Sequence, residues 1–467
     1  MTQHAFSRRL FLGSAVGGLA GATLSTTSGQ DIAASKADVF HEAARDVPLN
    51  KDADVIVCGA GPAGVTAAIA AARNGARVRL FEAHGCLGGV WTSGLLGYLL
   101  DFDKPGFNQE LVGILRERDA LHGDRPSGMC YQPEEMKLVL EELCQDAGVQ
   151  VQMHTRVAAA YGKDGRLQTI LTESKSGREA WQAPIFIDTT GDGDLGALAG
   201  CEFEIGESKD CPCQPMSMDA LLVVEDADQL RPFIHGTDVN SKPGQAKKNF
   251  LAEIRRAGHD PSYRQPTLFP IRDNLLLAMM NHEYGIMPYD ARGVSDATIR
   301  ARAELHTIVR ALRKLGGPWK GLQIVATPEQ IGIRDGRRIR GRYVVTQDDV
   351  ANGARHDDAV VRATFAVDVH ATKLADPAYS NRGIKTKPYD IPIRALIARD
   401  VDGLLLAGRC ISGDFIAHSS YRVTGNSVAM GEAAGSVGAL SALTKRLPQD
   451  VPWNESQVAI EKSRRVT

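Results

Sequence analysis

Two groups of residues in this sequence have types and spacings that could do chemistry. The first is Gly59, Gly61 and Gly64, the glycines of a G-x-G-x-x-G run, with Glu82 about 20 residues on. In such a run the first glycine allows a tight turn, the second lets backbone approach a pyrophosphate, and the third lets a helix pack close to a strand. Free N–H groups at the helix start would hold the phosphate charge. Glu82 can accept hydrogen bonds from the ribose of an adenosine lacking a 2′-phosphate. The second group is His370, His418, Tyr421, Arg394 and Arg422. Histidine moves protons near neutral pH and arginine grips oxygen pairs. A base or acid beside a fixed cation suits a redox step on a small charged or polarised molecule.

Those residues need elements to position them. Asp54 to Cys58 reads as a short buried strand, Val65 to Asn74 as an alanine-rich helix stopped by Gly75, and Val78 to Phe81 as a second strand ending at Glu82. The glycine run therefore follows a strand and opens a helix, the context that gives it meaning. Gly85 to Gly94, small residues around Trp91, reads as backbone pressed against a flat ligand. Ile185 to Asp188 is another buried strand, emptying into the Gly and Asp loop 189–194 and a helix over 195–199. This repeats the geometry of the first unit. Its acids lack the distal Glu of a calcium loop, so no metal is expected. Asp402 to Gly408 is a further buried strand. Val428 to Leu443 is a helix whose Gly431, Gly435 and Gly438 allow very close packing.

Between these parts the pattern predicts helices over 107–121 and 133–147, a strand over 149–157, and an antiparallel ribbon of 167–172 with 180–184. A turn is expected at Lys163-Asp164-Gly165. Residues 202–392 mix helices (245–257, 295–315) with strands (219–224, 275–280, 323–327, 340–346) and read as an inserted α+β substrate domain. Ser295 is the expected cap of its long helix. Arg334, Arg337, Arg338, Arg340 and Arg342 form a basic run, read as a ladder paired with acids such as Asp335, Asp348 and Asp349. The alternative is recognition of a carboxylate or acidic sugar.

With 54 Lys and Arg against 56 Asp and Glu, the net charge of −2 gives no reason to expect general nucleic-acid binding. No apolar run in the mature region is long enough to span a bilayer. Ser7-Arg8-Arg9-Leu10-Phe11-Leu12 with the apolar stretch after it predicts a twin-arginine export signal over 1–22, hence a periplasmic or otherwise exported protein. Residues 23–51 then read as a linker. The eight cysteines are scattered, with Cys211 and Cys213 the one close pair. The expected organisation is a first cofactor segment at 52–201, the insertion at 202–392, a second cofactor segment at 393–447, and a tail at 448–467.

The glycine run ending in Glu82, the Gly88-Gly89 loop, the Asp188 to Asp194 strand–loop and the Gly408-Arg409 to Gly435 segment together resemble FAD-dependent oxidoreductases of the glutathione-reductase-like, two-dinucleotide-fold group. The stretches 330–339, 389–394 and 408–412 are similar to the bacterial FAD-dependent oxidoreductase family. The resemblance implies an α/β fold with a three-layer, Rossmann-like FAD-binding domain on a parallel sheet. It implies that Gly59, Gly61 and Gly64, with Pro62 and Ala63 between, cradle the FAD pyrophosphate, and that Glu82, followed by Ala83, holds the adenosine ribose. Gly88, Gly89 and Thr92 would line the path to the flavin, backbone near Val157 would touch the adenine, and Gly191-Asp192 would close over the cofactor. Gly408, Arg409, Asp414 and Gly425-Asn426-Ser427 would hold the ribityl chain and ring edge. Related heterodisulfide-reductase flavoproteins add iron–sulfur cysteines; this chain lacks their cysteine run.

A flavin carries out its own hydride chemistry, and the protein supplies position and electrostatics. His418 and Arg422 lie between the last strand and the last long helix, which predicts that they face the flavin; His370 and Arg394 are the second pair. Three readings follow. One is an exported enzyme transferring hydride between FAD and a small molecule such as a sugar, polyol or organic acid, with an electron acceptor still to be named. The others are an NAD-dependent dehydrogenase and a flavin electron-transfer component of a larger complex.

Overall fold

The computed structural model describes residues 40, 42–123, 128–208, 213–235 and 244–464. The chain divides into two units, residues 1–46 and 47–467, and the fold below is that of the second. The expected export signal and Cys211 lie outside the described residues.

At the centre is a five-stranded sheet. From edge to edge its strands are Leu404–Leu406, Ile185–Asp188, Val55–Cys58, Val78–Phe81 and Gln150–Gln152, all parallel. The three strands nearest the first edge are buried throughout and, Asp188 apart, apolar, as strands covered on both faces must be. The order is that of the doubly wound dinucleotide fold, with its direction of winding reversing between Val55–Cys58 and Ile185–Asp188.

Helices cover the sheet through Pro62–Arg73 and Thr424–Thr444. A Cβ added to Gly431 or Gly435 would collide with the carbonyl oxygens of Ala63 and Ala67, so the two helices meet backbone to backbone. A second covering layer is an antiparallel sheet of Arg156–Lys163, Arg166–Ser174 and Gly177–Gln182, with Leu49–Asn50 added in parallel at its edge. It packs on the parallel sheet through Trp181, whose ring centroid lies 5.0 Å from that of Phe81.

A separate core is built from residues 216–331. Its antiparallel sheet runs Thr267–Arg272, Leu275–Met279, Asp219–Val223, Gln323–Ala326. Helix Ala291–Leu315 buries Ala297, Ala301, Leu305, Ile308, Val309 and Leu312 at helical spacing. Residues beyond it, including Ile339, Val345, Val361, Tyr389 and Ile391, pack in the core of the parallel sheet instead.

Several elements differ from expectation. The helix begun at Phe107 ends at Glu117, because Asp119 turns with φ +52° into the short strand Leu121–His122. The strand expected over 149–157 is broken at His154, φ +53°, where the chain leaves the parallel sheet for the antiparallel one. The antiparallel ribbon is present, but the Asp164-Gly165 turn joins its first two strands, and Lys175-Ser176 joins the pair expected to be neighbours. Asp290, whose carboxylate accepts from Arg292 N–H, caps the long helix; Ser295 lies inside it and donates to Ala291 O. Only Arg338–Ile339 of the basic run is strand, pairing with Phe203–Glu204, while 340–346 makes isolated bridges. The expected tail contains helix Trp453–Ser463, which buries Ala459 and Ile460 and is followed by an Arg464–Glu432 ion pair of 2.9 Å. Among the described residues no helix is long and apolar enough to cross a membrane.

Candidate functional site

A cleft of about 400 Å³ opens where the winding reverses, beyond the carboxyl ends of Val55–Cys58 and Ile185–Asp188. Its floor is the first glycine turn. Gly59 takes φ +97°, and a Cβ there would lie 2.6 Å from Thr189 O. Nothing lies within 4 Å of a Cβ placed on Gly61, so this position faces open space in the cleft. Gly64 does not line the cleft; a Cβ there would strike Gly59 O and Thr189 Oγ1, which is the close helix–strand approach expected of the third glycine. Pro62 and Ala63 line the wall. Glu82 ends its strand buried, its carboxylate accepting from Ala60 N–H at 2.7 Å and His84 N–H at 2.9 Å. The carboxylate is thus fixed at the cleft edge, with Ala83 and Val157 beside it.

The second strand–loop builds the opposite wall. Asp188, fully buried, accepts from Thr190 N–H, Thr190 Oγ1 and Gly196 N–H at 2.8–3.0 Å. Burial pushes its carboxyl up to about 6, and these hydrogen bonds limit the rise. It shapes the turn that presents Gly191 and Asp192 to the cleft. Arg409 reaches across to Asp192 at 2.5 Å and to Ile333 O at 2.6 Å, tying the last strand to both sides. Gly89, Gly408 and Ser427 complete the expected lining.

Other expected contacts are structural. Gly88 takes φ +107° and packs on Thr92 and Leu140, while Thr92 Oγ1 donates to Leu87 O. Asp414 caps helix Phe415–Tyr421, accepting from Ala417 N–H and Gln347 N–H. Gly425 is pressed on the backbone of Leu100 and Asp101. Asn426 is fully buried with neither side-chain polar atom partnered, and does not line the cleft.

The catalytic candidates separate. Arg422 lines the cleft. His418 does not: its helix turns it inward against Tyr421, fully buried, both ring nitrogens unpartnered. Burial, reinforced by Arg338 and Arg422, keeps it neutral, with a pKa well below the usual range. Arg394 lies outside the cleft, forked onto Asp358 at 2.8 and 3.1 Å and stacked over Tyr343. Of the basic run, Arg337, Arg338, Arg340 and Arg342 pair with Asp194, Asp335, Glu204 and Asp402, while Asp348 and Asp349 take no part.

His370 belongs with Arg422. Gln214 Oε1 accepts from His370 N–H at 2.9 Å and from Arg422 Nη2 at 3.3 Å. The same Nη2 donates to Asp368 O at 2.8 Å, and His370 Nε2 lies 3.1 Å from Asp368 Oδ2. Burial alone would raise the Asp368 carboxyl, yet the hydrogen bond to His370 and the charges of Arg422 and Arg334 hold it far below the carboxylate range. Burial and Arg334 take His370 down to about 4, against the pull of Asp368. The ring of His282 lies 5.1 Å from that of His370 and 4.1 Å from that of Tyr263. Gln214, Tyr263, His282 and Arg334 were absent from the expected catalytic residues. Arg334 was visible only as one of the basic run, and Gln214 sits in a stretch with no periodicity.

The glycine turn, the fixed acid and the second strand–loop define a dinucleotide-binding redox site. The family model for FAD dependent oxidoreductase matches residues 54–460, and the chain belongs to that family. It is an FAD-dependent oxidoreductase enzyme. The residues present fit the cofactor: an open Gly61, a turn only glycine adopts at Gly59, and a buried carboxylate where the adenosine ribose would lie. Part of the chain is also similar to thiamine thiazole synthase of Pyrococcus abyssi, 30% identical over 129 residues, 27% of this chain and 49% of that protein. A 65-residue stretch is 40% identical to the thiamine thiazole synthase of Thermotoga maritima, 14% of this chain and 24% of that protein. The chain therefore spans about half, or less, of the length of these curated relatives. Among solved structures it is similar to a geranylgeranyl bacteriochlorophyll reductase-like protein of Thermoplasma acidophilum (14% identity, TM-score 0.43, 89% of this chain and 82% of that one). It is likewise similar to p-nitrophenol 4-monooxygenase of Pseudomonas putida (11%, 0.45, 89% and 85%).

Proposed function

We propose that this oxidoreductase acts on a small molecule of the sugar, polyol or organic-acid kind, with His370 as its proton carrier and Arg422 as its orienting cation. The observation that carries the reading is the shared Gln214 Oε1, which joins a cleft-lining arginine to the histidine backbone. FAD, when bound, supplies the hydride transfer. With Asp368 ionised, His370 Nε2–H donates to it, and Nδ1, buried and unpartnered, presents a lone pair. That lone pair can take a proton from a substrate hydroxyl or amine, and Asp368 then steadies the imidazolium, the division of labour of an acid–histidine pair. The core at 216–331 is read as the substrate-side domain, and Pro288 and Gln330 to Ile333 close the cleft from it. The parallel sheet with its antiparallel covering layer favours the glutathione-reductase-like group.

The test is anaerobic flavin bleaching by a panel of such compounds. His370→Gln is expected to slow bleaching roughly 10²–10⁴-fold, the usual worth of a positioned acid or base, with FAD retained. Wild-type rates in that variant would sink the assignment. We also propose export in folded form, on the strength of Arg8-Arg9 and the apolar stretch behind them. Arg8→Lys with Arg9→Lys should leave the flavoprotein in the cytoplasm, and undiminished recovery outside it would count against the idea.

A further inference from the structure

Arg334 stands apart from the rest of its basic run. Its Nη1 donates to Ser217 Oγ at 2.6 Å and Pro215 O at 2.8 Å, both neutral, and among the described residues no carboxylate lies within ion-pair distance. Arg334 is half-buried, and a guanidinium largely withdrawn from water is ordinarily paired. The neighbouring groups do not discharge this one. Asp368 is already engaged by His370 and Arg422. Asp219, whose field reaches Arg334, is 5% exposed with Oδ1 unpartnered, and burial pushes its carboxyl up to about 7. His282 is 2% exposed with Nε2 unpartnered, and burial with Arg334, His370 and Arg422 keeps it neutral. Around the His282–His370 ring pair there are thus two guanidinium charges against one firmly ionised carboxylate. Two buried ring nitrogens, His282 Nε2 and His370 Nδ1, have no partner.

We propose that this cluster recognises a carboxylate on the substrate, with Arg334 as the guanidinium that receives it and Arg422 as the second cation. The inference rests on the reading of His370 and Arg422 as the substrate side of the cleft. With Asp219 titrating near 7 the surplus is at most one charge, so a singly charged anion suffices to balance it and a phosphate dianion would overshoot it. Arginine's planar fork also matches a carboxylate's two oxygens. A substrate so held would carry its reacting hydroxyl or amine toward His370, which makes a hydroxy acid or amino acid the best-suited class.

The purified holoprotein is titrated, at constant ionic strength, with acetate, benzoate, their neutral amides acetamide and benzamide, and inorganic phosphate. Binding is followed by calorimetry and by perturbation of the flavin spectrum. At least one carboxylate should bind saturably, and more tightly than its amide and than phosphate. Arg334→Gln should weaken that carboxylate roughly 10–100-fold, the equivalent of lost charge-assisted hydrogen bonds, and Arg334→Lys should weaken it less. The proposal is overturned if neither carboxylate outbinds its amide, if phosphate binds more tightly than both, or if Arg334→Gln, with flavin content and melting temperature intact, binds as wild type does. The wild-type comparison decides even where the variant fails to fold. Discrimination lost while a small molecule still bleaches the flavin sinks the carboxylate site alone. A flavin that nothing in the panel bleaches, in a protein that still prefers carboxylate, sinks the hydride-transfer reading instead.

Discussion

The nucleotide half of the cleft and the polar cluster joined to it through Arg422 are built on different physical terms. The nucleotide half is a matter of backbone: Gly59 at φ +97°, Gly61 open to the cleft, and one carboxylate fixed by two N–H groups within the same strand–helix–strand unit. The polar cluster is a matter of side chains brought together from afar: Gln214, His282, Arg334, His370 and Arg422 come from five separate stretches, and of these Arg422 is the one that lines the cleft. Backbone geometry is written locally, since only certain residues tolerate it. A polar cluster is written in the topology, so its members need no signature of their own.

The sharpest break of this contrast is a pair of glycine variants. Gly59→Ala should abolish FAD retention and lower the melting temperature, because a Cβ 2.6 Å from Thr189 O meets backbone that cannot move aside and the φ is unfavourable for any L side chain. Gly61→Val should also abolish FAD retention but leave the apoprotein's melting temperature where it was, because its side chain enters empty space. Equal thermal loss in both would mean that the turn, not the ligand, sets the need for the second glycine.

In the polar cluster, His370 gives a pH signature. Its pKa falls from 6.5 to about 4 on folding, so between those values the unfolded chain binds the extra proton. This contribution is fully present above pH 6.5 and is lost as pH falls toward 4, a slope worth up to about 3 kcal/mol in total. His370→Gln should flatten the loss of stability over that window, measured by denaturant unfolding at fixed pH values. An unchanged slope would show that the ring is not held neutral by its surroundings. The smallest effect is expected from Arg394→Ala. The Arg394–Asp358 pair is a surface one, so the change should stay within about 0.5 kcal/mol, with flavin bleaching untouched. A large kinetic loss there would restore Arg394 to the site.

What was legible in the sequence follows the same line. The strands at 55–58, 78–81, 185–188 and 404–406, the glycine turn and the acid at 82 could all be read, because each is a short apolar run or a residue with a steric reason to be where it is. His418 was misjudged. Chain connectivity does bring 408–427 to the cleft, but His418, inside helix Phe415–Tyr421, is packed away from it, while Arg422, the residue that ends that helix, lines it. Proximity along the chain fixes neighbourhood and leaves direction open. Arg394 was misjudged because a guanidinium's partner, here Asp358, is set by tertiary contact. The long helix's start was displaced for a local reason: both Asp290 and Ser295 are good caps, and Val294, ahead of Ser295, already packs against the core, so the earlier cap serves.

The backbone-to-backbone meeting of Gly431 and Gly435 with Ala63 and Ala67 sets a timetable for biosynthesis. The helix that floors the nucleotide half leaves the ribosome long before its close-packed partner. The strand Leu404–Leu406, which completes the sheet edge, also follows late. A nascent chain therefore carries the glycine turn for a long interval without the surface that clamps it. Any segment ahead of that turn is displayed to the cell throughout that interval, before the cofactor has a finished place to bind.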